Sequence, residues 1–511
     1  MAIRNALISV TDREGLVPLA KILAQHGVTI YATGGTSRFL RGRGIRAREI
    51  SALTKFPEIL GGRVKTLHPA VFAGLLARPE DDRALEKLKF PRMDILVTNF
   101  YEFPDRKSMQ DSEMAERIDI GGVALVRAAA KNYGSVLPIV APAQYGEFVQ
   151  RLLSGKLDEP EYSRRLAANA WGVVAQYDLR ILNASLRRLG NGGMPKWNFQ
   201  VTEEALPLRY GENPHQSASF FLQIPEELPF EVLQGKALSY CNLLDVHAAA
   251  MLWLDAPRRT FCAILKHTNP CGAAVGRDSA DAFRRAFNSD PQSAFGGVVL
   301  FNRRVNGAAA RELAERFLEV IVAPGYDAHA RKILECKKSL RLIRFTPTRL
   351  AGLSRDRVAD IRSALGGILV QDIDRVLKRP SAWKRMAGGK PARATLLDLD
   401  LAQRLAKHTK SNAIVLVRRG QAVGIGAGQQ SRVDSVRIAV DKARRYGHSI
   451  QGAACASDGF FPFSDSIELL SKTGVSAVIE PGGSVRDPDV IAAARKRNVT
   501  LFFSGRRHFR H

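Results

Sequence analysis

"NALISVTDREGLVPLAKILAQHGVTIYA" (residues 5–32) sets out a strand, a helix and a second strand in order. The apolar run at 5–11 is typical of a buried strand. Residues 13–27 have the spacing of an amphipathic helix that Gly27 ends, and 28–33 is again strand-like. "GGTSRFLRGRG" and the short "IRAREIS" continue the alternation. This βαβαβ order predicts a parallel sheet with helices on its faces.

The alternation continues through a strand at 93–101 and stops at "NGGMPKWNFQ" (191–200), which is polar and aperiodic. We interpret that stretch as a linker between domains at 1–195 and 198–511. The second region mixes hairpin and crossover spacing, so it is predicted to be α/β with a mixed sheet in two lobes. Its least periodic part, 340–395, is predicted to be an insertion, and no internal repeat is evident.

Composition places the chain among ordinary globular proteins: of 511 residues, 45% are hydrophobic and 25% are charged. No apolar run reaches the roughly 18 residues that a membrane span requires, and the N-terminus lacks a signal-peptide pattern. The five cysteines are scattered, without a C-x-x-C pair. We therefore expect a cytoplasmic protein with no membrane partner, no disulfide framework and no metal site.

The net charge of +26 is the unusual number, and such an excess raises the hypothesis of nucleic-acid binding. The basic residues are spread along helices, aromatic residues make up only 7%, and no RRM, KH or zinc-finger signature occurs. A diffuse basic surface also suits phosphate-bearing small molecules. We expect no nucleic-acid partner, and steeply salt-dependent RNA binding without turnover would favour the rival interpretation.

Two glycine-rich turns in the first region carry groups suited to an anion. In "ATGGTS", Gly35 and Thr36 open a helix whose free backbone N–H groups attract negative charge, although such a turn alone is commonplace. In "GGRVKTLHP", Arg63 and Lys65 share a face if the segment is extended. Together these features favour a phosphate clamp with an oxyanion stabiliser.

"IDIGGVALVRAAAKNY" places Asp119 between apolar residues, where an unpaired carboxylate is costly. A helix beginning at Gly121 and Gly122 would offset that cost through its N-terminal dipole. Lys131, three turns along, is either a second catalytic charge or a surface lysine, and the pattern by itself favours the surface lysine.

"ILKHTNPCGAAVG" (264–276) sets Lys266 beside His267 at the mouth of an apolar strand. Adjacent strand residues point to opposite faces, so both groups can reach one substrate only at a strand end or a bulge. The pair is therefore either a catalytic site or surface decoration.

Two further motifs of the second region indicate a ligand. "GIGAGQQSR" is a glycine-rich loop that matches neither the dinucleotide fingerprint nor the Walker A motif, which disfavours NAD and ATP. In "ASDGFFPFSDS", three phenylalanines lie between Asp458 and Asp465. Buried aromatic residues are usually core, but between two acids they could form a slot for a flat heterocycle.

These motifs occur together in the order found in one family. "SVTDREGL", "ATGGTS", "GGRVKTLHPAVFAGLLAR", "LRYGENPHQ", "LKHTNPCG", "DPQSAFGGVV", "KSNAIV", "PGGSVRD" and "RRHFRH" complete the set. The chain resembles, over essentially its whole length, the bifunctional enzymes that join AICAR (5-aminoimidazole-4-carboxamide ribonucleotide) formyltransferase to inosine monophosphate (IMP) cyclohydrolase. The resemblance implies a methylglyoxal-synthase-like parallel-sheet domain followed by formyltransferase lobes of cytidine-deaminase-like topology.

The resemblance also implies the chemistry: formyl transfer from 10-formyltetrahydrofolate, the co-substrate, to AICAR, and then dehydrative ring closure of formyl-AICAR to IMP in a homodimer. It assigns catalysis of formyl transfer to Lys266, His267 and Asn412. It assigns substrate contacts of that step to Arg209, Tyr210, Asn242, Phe295, Gly296, Arg432, Phe460, Asp465, Arg507 and His511. For ring closure it implies catalytic Lys65, Tyr101, Asp119 and Lys131, with substrate bound by Ser9, Arg13, Gly35, Thr36, Arg63 and Thr66.

The chain departs from the family pattern at a few positions. Arg13 replaces a phosphate-contacting lysine, which keeps the charge but alters its geometry. Phe72 stands where family members commonly carry histidine, and Gly459 and Cys241 replace an alanine and an asparagine. No departure removes a proposed catalytic group. The intact set of Lys266, His267 and Asn412 argues against a pseudo-enzyme that only binds nucleotide.

Overall fold

The computed structural model describes residues 3–57, 59, 64–100, 110–189, 204–222, 228–353 and 359–511. The chain divides into two compact units, Met1–Gln200 and Val201–His511. Three sequence predictions fall outside the described residues: the linker at 191–200, the phosphate contact of Arg63 and the catalytic role of Tyr101. No helix in the described ranges is long and apolar enough to cross a membrane.

The elements of the first unit alternate as the sequence predicts. They are β1 (Asn5–Ser9), α1 (Leu16–Gln25), β2 (Thr29–Ala32), α2 (Gly34–Arg41), β3 (Arg48–Glu49), α3 (Ile50–Thr54), α4 (Pro69–Leu76), α5 (Asp82–Leu88), β4 (Ile95–Thr98), α6 (Asp111–Glu116), α7 (Gly121–Lys131), β5 (Leu137–Ile139), α8 (Tyr145–Leu153) and α9 (Pro160–Leu189).

The five strands form one parallel sheet in the order β3-β2-β1-β4-β5. Alternate residues of β1 point to different cores: Ala6 and Ile8 join one apolar cluster, and Leu7 joins the other on the opposite face. The order of the strands reverses between β1 and β4. In open α/β sheets a ligand binds at such a reversal, outside the carboxyl ends of the strands.

The second unit contains the remaining elements. They are β6 (Glu204–Pro207), β7 (Ser219–Phe221), β8 (Phe230–Gln234), α10 (Tyr240–Leu254), β9 (Phe261–Lys266), β10 (Asn269–Val275), α11 (Ser279–Ser289), α12 (Pro291–Ala294), β11 (Val298–Phe301), α13 (Gly307–Ala314), β12 (Val320–Ala323), α14 (Ala328–Leu334), β13 (Arg341–Phe345), α15 (Pro347–Leu353), β14 (Ala359–Ala364), β15 (Gly367–Asp372), β16 (Lys384–Ala387), α16 (Arg393–Lys407), β17 (Ile414–Arg418), β18 (Gln421–Gly426), α17 (Arg432–Arg445), β19 (Ala454–Ser457), α18 (Asp465–Lys472), β20 (Ala477–Glu480), α19 (Asp487–Lys496) and β21 (Thr500–Phe503).

A twelve-stranded mixed sheet organises this unit, in the order β16-β21-β20-β19-β17-β18-β10-β9-β11-β12-β13-β8. The sheet consists of two six-stranded halves with the same strand order and the same parallel and antiparallel pairings. We name them the first lobe (residues 230–345) and the second lobe (residues 384–503). The expectation of no internal repeat was therefore wrong for the structure, because a topology repeats here without a repeated sequence.

The prediction that 340–395 is an insertion was also wrong at both ends of the segment. β13 lies between β12 and β8, and β16 pairs with β21, so both strands belong to the twelve-stranded sheet. Only the β14–β15 hairpin forms a separate two-stranded sheet. Periodicity missed β13 because all but one of its residues are buried, which removes the alternation of polar and apolar residues.

The two lobes meet at equivalent places. β10 and β18 pair antiparallel at the centre of the sheet. The C-cap of α10, Asp255, accepts hydrogen bonds from Lys407 Nζ and His408 Nε2 at the end of α16, both at 2.7 Å. These two bonds lower the pKa of Asp255 to about 2 although burial opposes the shift. A buried charge cluster therefore joins the equivalent helices of the two lobes.

Candidate active site

In the first unit, the predicted anion site lies beside the reversal of strand order. Ser9 ends β1, and its hydroxyl accepts a hydrogen bond from Thr33, the N-cap of α2. A Cβ added at Gly35 would meet nothing within 4 Å, so there is open space beside the backbone N–H groups that begin α2. Those groups can receive an anion.

Thr36 and Arg13 reach this region in different ways. The Thr36 hydroxyl is buried and hydrogen-bonds both the N–H and the C=O of Val10 at 3.3 Å, so its side chain ties α2 to β1. The guanidinium of Arg13 stacks on the ring of Phe39 in α2, 4.6 Å from its centroid. Arg13 is exposed, and this stacking holds its charge beside the helix that offers the anion site.

Lys65, Thr66 and Asp119 come together at the start of α7. The carboxylate of Asp119 accepts a hydrogen bond from the N–H of Gly122 at 2.8 Å, as the sequence predicted. Burial raises the pKa of Asp119, while that bond and the charge of Lys65 oppose the rise. A Cβ at Gly121 would lie 2.6 Å from Thr66 Oγ1, and one at Gly122 would lie 2.6 Å from Asp119 Oδ2. The glycine pair therefore permits the close approach of both side chains.

Lys131 does not join this group within the unit. It is exposed at the last position of α7, about 15 Å along the helix from Gly121 at 1.5 Å per residue. Phe72, the departure from the family pattern, lies on α4 and packs against the apolar cluster that includes Leu7 and Leu96.

In the second unit, His267 lies in a tight turn that explains how it and Lys266 can serve one site. Lys266 pairs with Asn269 across the β9–β10 hairpin, so His267 and Thr268 form a two-residue loop. Both have positive φ, 52° and 64°, as a type I′ turn requires. Because His267 is a turn residue and not a strand residue, its side chain does not have to point to the face opposite that of Lys266. Its exposed ring projects from the tip of the hairpin.

Lys266 is held at the base of the same turn. Its Nζ donates a hydrogen bond to the carbonyl of Phe295 at 2.8 Å. The Phe295 side chain is 60% exposed and contacts the ring of Phe317, and Gly296 follows with φ 72°. The predicted residues Lys266, Phe295 and Gly296 are thus neighbours.

Three other predicted residues lie at the start of α10. Arg209 stacks on the ring of Tyr210, 4.8 Å from its centroid, and the Tyr210 carbonyl accepts a hydrogen bond from the N–H of Tyr240. Asn242 is buried and forms a capping box with Ser239. The Asn242 side chain therefore stabilises the helix end, in addition to any contact with substrate.

A cavity of about 370 Å³ opens in the second lobe. It is lined by Phe460, Pro462, Phe463 and Phe509 together with polar groups of Asn412, Arg432 and Asp465, among others. Arg432 is buried, and its guanidinium donates to Asn412 Oδ1 at 2.7 Å, to Ser457 Oγ at 2.8 Å and to the carboxylate of Asp458. The aromatic walls and the fixed polar groups suit a flat, polar heterocycle.

The C-terminal tail closes one side of this cavity. The N–H of Ser411 donates a hydrogen bond to the carbonyl of Arg510, and the N–H of Arg510 donates to the Ser411 hydroxyl at 3.1 Å. The N–H of His508 donates to the carbonyl of Asp458. Arg507 stacks on the ring of Phe509 at 4.3 Å, and the exposed His511 ring lies 5.8 Å from the same ring. The tail is therefore docked and not frayed.

Two contacts connect the cavity with the His267 turn. Asn269 Oδ1 accepts a hydrogen bond from the N–H of Lys410 at 2.8 Å, and Arg510 Nη1 donates to the carbonyl of Thr268 at 3.2 Å. Lys410 precedes the cavity residue Asn412 by two positions. Hydrogen bonds therefore link the β9–β10 turn of the first lobe to the two segments that border the cavity of the second lobe.

Sequence reasoning named Asp458 only as a flank of the aromatic slot and gave no role to Phe509, although the first anchors Arg432 and the second lines the cavity. The pairing of Arg432 with Asp458 spans 26 positions, so no local pattern reveals it. The docked "RRHFRH" tail was the only signal for Phe509.

Comparisons with known proteins identify the family of this chain. The family model of the AICARFT/IMPCHase bienzyme matches residues 129–442, and that of the MGS-like domain matches residues 15–124. The bifunctional purine biosynthesis protein PurH of Aquifex aeolicus (strain VF5) is 43% identical over 523 residues, covering 99% of this chain and 100% of that protein. The crystal structure of ForH is 33% identical, with a TM-score of 0.34, covering 36% of this chain and 98% of that one.

The predicted family, the α/β fold with its parallel and mixed sheets, and the bifunctional activity are confirmed. The chain belongs to the AICARFT/IMPCHase family of bifunctional enzymes, which catalyse formyl transfer to AICAR and closure of the product to IMP, the last two steps of purine biosynthesis.

Proposed function

We propose that the two reactions use separate sites: formyl transfer at the His267 turn and the cavity beside it, and ring closure at the Asp119 group of the first unit. The observation that supports the first assignment is the left-handed turn of His267 and Thr268, which puts the exposed His267 at the tip of the hairpin, directly after Lys266.

The chemistry of formyl transfer needs such a pair. The exocyclic amine of AICAR is a weak nucleophile because its lone pair delocalises into the ring and the carboxamide. The imidazole of His267 accepts the amine proton as the amine attacks the formyl carbon. Lys266 stabilises the oxyanion of the tetrahedral intermediate.

The formyl donor that we propose is 10-formyltetrahydrofolate, and the cavity of the second lobe would hold its flat bicyclic ring. Phe460 and Phe463 supply apolar walls, and Asp465 supplies an acceptor at the start of α18. Arg432, fixed by Asp458 and Asn412, keeps the polar edge of the cavity rigid. We propose that Arg209, Tyr210, Asn242, Phe295, Gly296, Arg507 and His511 contact the nucleotide or the folate.

Ring closure is intramolecular, so correct positioning of the formylated carboxamide supplies much of the acceleration. The half-buried Asp119, whose pKa is raised by burial, is suited to exchanging a proton with the carboxamide nitrogen, and Lys65 can polarise the formyl oxygen. Ser9, Arg13, Gly35, Thr36, Arg63 and Thr66 remain the proposed substrate contacts, and Tyr101 and Lys131 remain proposed catalytic residues.

We also propose a cytoplasmic homodimer. The β14–β15 hairpin forms its own two-stranded sheet and exposes Leu365, Ile368 and Leu369, and such an isolated hairpin is marginally stable by itself. A second copy would cover this apolar surface. Five unpaired cysteines suit a reducing compartment.

A coupled assay tests the two-site proposal. The full chain receives AICAR and 10-formyltetrahydrofolate, and tetrahydrofolate and IMP are measured separately. Lys65→Ala and Asp119→Ala should slow IMP formation while tetrahydrofolate release continues, so that formyl-AICAR accumulates. Equal loss of both products in either variant would refute separate sites.

A further inference from the structure

The hairpin turn that carries His267 has an unusual backbone for its residues. Left-handed φ is unfavourable for an ordinary L-residue, and a β-branched residue such as Thr268 is especially disfavoured there. A strained conformation persists only when its surroundings hold it in place.

One carboxylate beneath the turn provides that support. Asp245 Oδ1 accepts a hydrogen bond from the N–H of Thr268 at 2.5 Å, and its carboxylate also interacts with the backbone N–H of His267. Burial raises the pKa of Asp245, while these bonds and the charges of His267 and Arg510 oppose the rise.

The second lobe contains the same device. Its β17–β18 hairpin turns through Arg419 and Gly420, both with positive φ. Asp398 of α16 accepts hydrogen bonds from Arg419 N at 2.8 Å and Gly420 N at 2.6 Å. Asp245 and Asp398 lie the same number of residues after the starts of α10 and α16, two helices of 15 residues.

Deepening the proposed function, we infer that Asp245 is a positioning residue for formyl transfer: its carboxylate binds the backbone N–H groups of the β9–β10 turn and fixes the left-handed conformation that sets His267 beside Lys266. Asp398 supports the equivalent turn of the second lobe, which lacks the lysine–histidine pair. The turn of the first lobe contains no glycine that would accept positive φ without strain. Formyl transfer therefore depends on the carboxylate of Asp245, whereas it does not depend on Asp398.

The test compares Asp245→Ala, Asp245→Asn and Asp398→Ala in the full chain. Asp245→Ala should lower kcat for formyl transfer by about 10- to 100-fold, with the KM of each substrate changed less than about threefold, and should leave cyclisation of supplied formyl-AICAR intact. Asp245→Asn, which retains one acceptor oxygen, should lower kcat for formyl transfer less than Asp245→Ala does. Asp398→Ala, the matched control, should change formyl transfer by less than about threefold.

Rescue separates positioning from general destabilisation. Thr268→Gly in the Asp245→Ala background removes the cost of positive φ and should restore at least about threefold of the lost kcat. Absence of rescue, or an equal loss in Asp398→Ala, would overturn the inference. If His267→Ala alone proved harmless, the proposed function itself would fail, whereas failure of rescue with His267 essential would refute only the role of Asp245.

Discussion

The two lobes of the second unit share strand order, pairing and a hairpin supported by a helix carboxylate, yet their turns contain different residues. The first turn has His267 and Thr268, and the second has Arg419 and Gly420. Glycine accepts positive φ at no steric cost, whereas threonine does not. The lobe with the relaxed turn contributes the aromatic cavity, and the lobe with the strained turn contributes the exposed imidazole. One architecture, used twice, thus supplies the two different parts that the proposed formyl-transfer site requires.

The largest expected effect tests whether the lobes depend on each other. Asp255→Ala removes the carboxylate that Lys407 and His408 share and leaves the buried ammonium of Lys407 unpaired. The free energy of unfolding should fall by about 3–5 kcal/mol. Denaturant titration of the full chain measures it, with the exposed pair of Arg486 and Asp489 as control: Asp489→Ala should cost less than about 1 kcal/mol. If Asp255→Ala lowered the free energy of unfolding as little as Asp489→Ala, the lobes would be energetically independent.

A second test concerns a feature that both lobes should share. Gly272 and Gly424 occupy equivalent positions after the two turns, and an added Cβ would lie 2.1 Å from Ala286 O and 2.0 Å from Ala439 O, respectively. Alanine at either position should destabilise the unit by about 1–3 kcal/mol, because the helix backbone must move away. Gly389→Ala, where a Cβ would meet nothing within 4 Å, is the control. A large asymmetry between the two substitutions would contradict equivalent packing.

The smallest effect comes from exchanging the turn residues. Gly420→Thr gives the second turn the strain of the first and should cost about 1–2 kcal/mol, since Gly420 has φ 71°. Thr268→Gly should raise stability by no more than about 1 kcal/mol, because glycine also gains freedom in the unfolded chain. Thermal unfolding of both variants tests whether Gly420→Thr lowers stability and Thr268→Gly raises it. A stabilising Gly420→Thr would mean that the turns do not differ in strain.

Sequence patterns predicted the features that depend on local order. The alternation in residues 5–32 predicted β1, α1 and β2, and "ILKHTNPCGAAVG" predicted a strand that ends at Lys266 and His267. Features formed by distant residues were missed. Asp245 contacts Thr268 across 23 positions, and the duplication of lobes is preserved in topology without a repeated sequence. Apolar periodicity encodes which face is buried, not which polar groups meet there.

The predictions for individual site residues agree less uniformly with the structure, for a related reason. Lys65 and Asp119 were expected together and interact, since a glycine-opened helix draws a carboxylate to its start. Lys131 lies at the other end of that helix, as its spacing along α7 dictates. Asn242 remains a predicted substrate contact, and its side chain caps α10, a structural role that the motif did not reveal.

Formyl transfer measured in a single turnover, with tetrahydrofolate as the readout, tests most directly whether the first turn carries the chemistry. His267→Ala should slow the formation of tetrahydrofolate by about 10²-fold or more, which is the usual scale for loss of a general acid–base group. Cyclisation of supplied formyl-AICAR should be unchanged. Arg419→Ala, at the equivalent turn of the second lobe, should remain within about twofold of the parent chain. A mild defect in His267→Ala, or equal defects in both variants, would contradict the account.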